Sequence, residues 1–248
     1  SGLVGSEMCI RDSNYTGIQP ETIELLSLNR FNDSKAFYEE HKEELKQGAI
    51  VPMRQMVLDL SDLLCDIDEL MDTNPTYIVS RIRRDTRRTK SKLLYRENLW
   101  VMFRRNKFEY PLAPTYWFEF KPEGYAYGLG MWGKPAQMDE VRKLILKEPD
   151  RWLEAASCVK KAGLKYNTDE FYKKDKAPDA PEELKKYLNA KYFEFSVWKK
   201  DLSRIASTKI IDELRKVIKT SAPMYQILIE AYDNAFNEGI INADYYKR

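Results

Sequence analysis

The sequence predicts an α+β fold, and three observations carry that prediction. Apolar residues recur at helical spacing from about residue 20 to residue 64. Between 77 and 132 the period drops to two, in four short runs separated by turn residues. Helical spacing returns after Pro135 and persists towards the C-terminus. Helices, then a block of about four strands, then helices again is the pattern of a sheet with its helices segregated from it. The short links between consecutive strands favour antiparallel pairing.

Taken in order, Pro20-Glu21-Thr22 opens a helix with Ile23, Leu25, Leu26 and Leu28 as its apolar stripe. Asn32-Asp33-Ser34 offers a fresh N-cap, and a long helical pattern follows to about Leu64, through Phe37, Tyr38, Leu45, Met53, Val57 and Leu60. Pro52 is expected to kink or divide it, because proline has no N–H for the helical ladder. Strands are expected at 77–83, 98–105, 115–121 and 125–132, the last two joined through the turn-rich Pro122-Glu123-Gly124. Pro135 suits the first position of a helix carrying Val141, Leu144 and Ile145, and a second helix follows Pro149 with Trp152, Leu153 and Ala156. The polar run 173–181 reads as a surface loop, and helical patterns return at 182–188, 210–218 and 224–236. A single α+β domain over 14–248 is expected.

Residues 1–13 fall outside that domain. They have no basic stretch followed by an apolar core, so they are not read as a targeting signal. Leu3 to Ser13 is similar, residue for residue, to the conceptual translation of a transposase-type sequencing adapter, and is expected to be an artefactual extension.

Composition narrows the class of protein. Of 248 residues, 43% are hydrophobic and 32% charged, and 10 Gly with 11 Pro exclude collagen-like or low-complexity chains. No apolar run approaches the roughly 18 residues of a membrane span, so no membrane association is expected. Outside 1–13 the cysteines are Cys65 and Cys158, with no CxxC spacing and no neighbouring His. That pair provides neither a zinc site nor a disulfide framework, and a reduced cytoplasmic protein is the expectation.

Charge is where the sequence departs from the ordinary. The whole chain holds 41 Lys+Arg against 39 Asp+Glu. The sixteen residues 81–96 hold eight of the basic ones, Arg81, Arg83, Arg84, Arg87, Arg88, Lys90, Lys92 and Arg96, opposed only by Asp85. Without this segment and 1–13 the remainder is net acidic, 32 basic against 36 acidic. The slight positive balance is therefore local.

The same segment resembles the family called domain of unknown function 2461. The resemblance rests on Arg81-Ile82-x-Arg84-Asp85-Thr86-Arg87, then Thr89-Lys90-x-Lys92 and Tyr95-Arg96. It extends upstream to Leu28, Asn32 and Phe37, and downstream to Gly128-Leu129-Gly130-Met131-Trp132, Pro135 and Arg142, covering roughly 20–220. Arg88, Ser91 and Leu94 depart from the family's usual aromatic, acid and proline. The region around Lys176-Ala177-Pro178 and Ala180-Pro181 lacks the histidine found in relatives. Membership implies an α+β fold and no assigned biochemical activity.

Arginine presents a planar fork suited to carboxylate or phosphate, and lysine a point charge. Three readings of the segment stay open. In the first, Arg81, Arg84, Arg87, Lys90 and Lys92, with a hydrogen bond from Tyr95, hold an anionic small molecule or a nucleic acid. In the second, Asp85 is the acid or base of an enzyme acting on a small anionic substrate. In the third, Arg84, Asp85 and Arg87 form an internal salt-bridge network and the motif is structural.

Other signals are weaker. Gly128 to Gly133 satisfies G-x-G-x-x-G, but on a strand expected in an antiparallel hairpin, so the glycines are read as serving close strand approach and no cofactor is expected. Tyr116, Trp117, Phe118, Phe120, Tyr125, Tyr127 and Trp132 are read as core rather than as a base-stacking platform beside Arg104, Arg105 and Lys107. His41, the only histidine, is expected to face solvent, and its solitude excludes a multi-His metal site or a His-dependent triad.

Overall fold

The computed structural model describes residues 13–87, 90–245 and the backbone of 246. All of the expected extension except Ser13, together with Arg88 and Thr89 of the basic segment, lies outside the described residues.

Helix α1 (Pro20–Asn32) opens on Pro20 and closes on Asp33, whose left-handed φ of 45° turns its N–H back to the Asn29 carbonyl. Ser34 then caps α2 (Lys35–Leu45), its hydroxyl accepting from the Phe37 N–H. A π-helical turn, Lys46–Ile50, joins α2 to α3 (Val51–Ile67). Pro52 has no N–H to offer the Gly48 carbonyl inside that turn, and the wider π geometry absorbs the missing bond.

The sheet is antiparallel throughout, five strands in the order β1-β2-β3-β5-β4: β1 Leu99–Phe103, β2 Thr115–Lys121, β3 Gly124–Met131, β4 Lys165–Tyr166 and β5 Phe193–Lys199. Its register aligns Val101, Phe118, Tyr127 and Val197 across four strands, and Phe103, Tyr116, Leu129 and Phe195 beside them. These rows make one apolar face. Helix α8 (Lys209–Asn237) crosses it, with the Tyr225 ring stacked 5.3 Å from Tyr116. Trp152 of α6 (Pro149–Lys161) meets Phe193 edge-on at 5.4 Å. Helices α5 (Pro135–Lys147) and α7 (Glu182–Leu188) complete that layer. The alternate residues Trp100, Met102, Trp117 and Trp198 point to the other face and are half-buried or exposed.

Two stretches differ from expectation. The run 77–83 is not a strand. Pro75 and the Asn74 side chain, which accepts from Thr76 N–H at 3.0 Å, start one helical turn, α4 (Pro75–Ile78). The alternation survives beyond it as isolated bridges, Val79 with Val101 and Arg83 with Tyr95. The segments at 210–218 and 224–236 are one helix, continuous through Pro223, because Val217, Ile218, Met224 and Tyr225 are all buried on the same core. No helix among the described residues is long and apolar enough to cross a membrane.

Two polar ties hold the elements in place. Asp68, at the end of α3, accepts through Oδ2 from Arg105 Nε at 2.8 Å and from the Tyr225 hydroxyl at 2.7 Å, while Oδ1 accepts from Leu70 N–H. Arg105 also donates to Asp233 of α8 at 2.5 Å. Burial pushes the Arg105 guanidinium down, but its bonds to Asp233 and Asp68 overcome this and hold it above its ordinary value. The second tie is Asp33, whose Oδ1 accepts from the backbone N–H groups of Leu94 (2.7 Å) and Tyr95 (3.1 Å).

Asp68→Ala leaves a buried guanidinium and a buried phenol short of their acceptor, and unfolding in denaturant should show a loss of about 3–5 kcal/mol. Asp33→Ala should cost about 1–3 kcal/mol and selectively speed amide hydrogen exchange at Leu94 and Tyr95.

Candidate anion-binding cleft

The concentration of positive charge surrounds a cleft of about 740 Å³ beside the edge strand β1. Backbone pairing decides which side chains reach it. Arg84 N–H donates to the Leu94 carbonyl (2.7 Å) and Arg96 N–H to the Ile82 carbonyl (2.9 Å), so 82–84 and 94–96 run as a short extended pair. Its alternation buries Ile82 and turns Arg81 and Arg83 outward into the cleft. On β1 the same alternation buries Leu99 and Val101 and leaves Trp100 facing the cleft. Ser80 fixes this alignment: its N–H donates to the Trp100 carbonyl and its hydroxyl accepts from the Trp100 N–H.

Arg96, Arg104 and Lys107 complete the basic lining, and Asp72, Asp85 and Glu109 are its acids. Among the described residues, Arg81, Arg83 and Arg96 have no ion pair with a carboxylate. The Arg96 guanidinium lies 4.5 Å over the Trp100 ring, and burial, then the Arg84 charge, pushes it below its ordinary value. Lys107 is pushed down too, by burial first and then by Arg104 and Arg81. Burial and then neighbouring cations disfavour positive charge at these positions, and a bound anion stabilises it.

Of the residues singled out from sequence, the cleft receives Arg81 and Asp85. Arg84 does not line the cleft, although its charge bears on Arg96, and its buried Nε has no hydrogen-bond partner among the described residues. Arg87 forms a local fork on Asp85, Nε to Oδ1 at 2.9 Å and Nη2 to Oδ2 at 2.7 Å, with both side chains largely in solvent. Lys90 and Lys92 are exposed and do not line the cleft. Tyr95 is core, stacked 4.7 Å from Tyr38, and burial raises its hydroxyl pKa. The cleft also takes Arg83 and Arg96, which the sequence reading counts in the basic segment without assigning them to the ligand, Arg104 and Lys107, weighed there only beside an aromatic platform, and Trp100. The period-two alternation on either side of Ile82 and Val101 was the signal that could have found them.

Other basic and family positions have structural partners. Arg105, also at the cleft wall, is committed to Asp68 and Asp233. Arg142 is buried, donating to the carbonyls of Leu188 (2.6 Å) and Ala190 and to Asp139, and so ties α5 to the end of α7. A second basic cleft of about 490 Å³ is lined by Lys161, Lys199, Arg204, Lys209 and Lys216 with Asp212 and Glu213, and there Glu213 pairs with Lys199 at 2.6 Å and Arg204 at 3.6 Å.

The glycine run sits inside the antiparallel sheet. A Cβ at Gly128 would come within 2.4 Å of the Phe195 carbonyl oxygen, and one at Gly130 would strike the Trp132 ring, so these glycines serve close packing. Tyr116, Phe118, Phe120, Tyr125 and Tyr127 are core, whereas Trp117 is half-buried and Trp132 is 37% exposed. His41 is not fully solvent-facing: its ring centroid is 4.4 Å from that of Phe37 and its Nδ1 is 3.5 Å from Glu44. Cys65 and Cys158 are free thiols. Among the described residues, no group of three or more His, Cys, Asp or Glu is placed to hold a metal ion.

No curated protein and no solved structure matches the chain. A family model described as conserved hypothetical protein (DUF2461) matches residues 21–226, from the start of α1 into the middle of α8. That span takes in the sheet, the Asp33 tie, Asp68, Arg105 and Tyr225 of the other tie, and the whole cleft, and the chain belongs to this family of conserved hypothetical proteins.

Proposed function

We propose that this protein is a binding module for an anionic ligand, phosphate-bearing or a nucleic acid, held in the cleft by Arg81, Arg83, Arg96, Arg104 and Lys107. The observation that carries the reading is the convergence of these cations on one concave surface, where burial and then Arg104 and Arg81 push Lys107 down. Arg81, Arg83 and Arg96, with no carboxylate partner among the described residues, keep their planar forks available for phosphate oxygens. The free thiols of Cys65 and Cys158 favour a reducing compartment, and we place the protein in the cytoplasm.

The enzymatic reading, with Asp85 as acid or base, is disfavoured by the fork from Arg87, which occupies both carboxylate oxygens. The structural reading is favoured for one part of the motif only: Tyr95 and the backbone at 94–95 join the basic segment to α1 and α2.

Inorganic polyphosphate titrations at several salt concentrations test the proposal. The double substitution Arg83→Ala/Arg96→Ala should weaken binding at least about tenfold and flatten the salt dependence, since each lost phosphate contact removes about one unit of slope. Lys90→Ala should change little. Asp85→Asn should bind as well or better, because it removes a negative charge from the wall. Unchanged affinity in the double variant contradicts the site.

Affinity should also fall with rising pH before the ordinary lysine value of 10.5 is reached. In the free protein burial, and then the neighbouring cations, let the Lys107 proton leave early, and a bound anion pulls that pKa back up. Between the two values, binding must take up a proton and so weakens as pH rises. Lys107→Arg should remove this decline.

A further inference from the structure

The cleft is lined by more than charge. Tyr77 and Phe108, 67% and 60% exposed, stand in the same wall as Trp100. Two exposed aromatics and one half-buried one thus share one basic surface, and an aromatic face beside cations suits a ligand that is both apolar and anionic. Two have a cation over the ring: Arg96 at 4.5 Å from the Trp100 centroid and Lys107 at 4.9 Å from that of Phe108. The cleft also continues. Arg81 and Arg83 line a second groove of about 280 Å³ on the far side of the 79–83 segment, where Arg54 extends the positive surface and Lys42 and Lys46 are paired with Glu39 and Glu43. A compact metabolite would fill one of these spaces; an extended polyanion uses both.

We infer that the ligand is a single-stranded nucleic acid, its phosphates following the cations from Lys107 and Arg104 past Arg81 and Arg83 towards Arg54, and its bases stacking on Tyr77, Trp100 and Phe108. This inference rests on the anion-binding reading of the same cleft. Aromatic faces accept any base, so binding is sequence-tolerant, and they accept only unpaired ones, so a duplex is disfavoured.

The test compares four probes on the whole protein: oligothymidine and oligouridine of about 12 nucleotides, within the usual site sizes for single strands, a DNA duplex of that length, and inorganic polyphosphate. The single strands should bind at least about tenfold more tightly than the duplex. Tyr77→Ala/Phe108→Ala, at solvent-exposed positions, should cost the single strands about tenfold or more while leaving polyphosphate affinity unchanged. Trp198→Ala, removing an aromatic that is 42% exposed on the sheet away from the cleft, should cost nothing. Equal affinity for duplex and single strand, or indifference to the double substitution, overturns the inference while bound polyphosphate keeps the anion site. Failure of all four probes to bind overturns both.

Discussion

Arg105 is the residue on which the geometry of the cleft depends. It follows β1 directly, and its guanidinium is buried between Asp68 at the end of α3 and Asp233 on α8. A buried ion pair is a weak source of net stability, because desolvation offsets most of the attraction. Its effect is positional. With Asp68 also held by the Tyr225 hydroxyl and by the Leu70 N–H, strand, helix end and long helix meet at one point and in one register. Arg104 and Lys107, on either side of that point, then face the cleft because Arg105 is committed to the interior.

The rest of the site follows from alternation. Residues 79–83 lie against β1 through the Val79–Val101 bridge and both hydrogen bonds between Ser80 and Trp100. Ile82 and Val101 are buried, so Arg81, Arg83 and Trp100 must appear on the open side. Asp33 holds the return segment by two backbone N–H groups, and the Tyr38–Tyr95 stack seats it on α2. Burial first, and then repulsion from neighbouring positive groups, thereby depresses Arg96 and Lys107. Folding supports that repulsion with apolar burial from Ile82, Leu99 and Val101, and binding an anion relieves it.

Much of this was legible in the sequence where the signal is local. Ser34 as a cap, Pro20 and Pro135 as helix starts, and the hairpin through Pro122-Glu123-Gly124 all depend on neighbours within a few residues, and all appear as read. Strand β5 escaped notice although Phe193, Phe195 and Val197 alternate cleanly, and β4, two residues long, carries no periodic signal. The break before Val79 was missed because the Asn74-Pro75 start competes with a genuine period-two run. For the site, sequence located the charge but could not sort it. Arg104 and Arg105 are adjacent and chemically identical; what separates their roles is Asp68, 37 residues away, and Asp233, 128 residues away. Arg87 was equally convincing on paper, yet its nearest acid is two residues away and holds it in solvent. Tyr95 looked like a hydrogen-bond donor because its stacking partner Tyr38 belongs to a distant helix.

The most direct measurement of the central claim is crystallographic: crystals grown with tungstate, a heavy mimic of phosphate, with the anion located by its anomalous signal. The expected peak lies in the cleft among Arg81, Arg83 and Arg96, with the Arg87–Asp85 fork intact. A peak instead at Arg87, Lys90 and Lys92, with the cleft empty, would contradict the assignment.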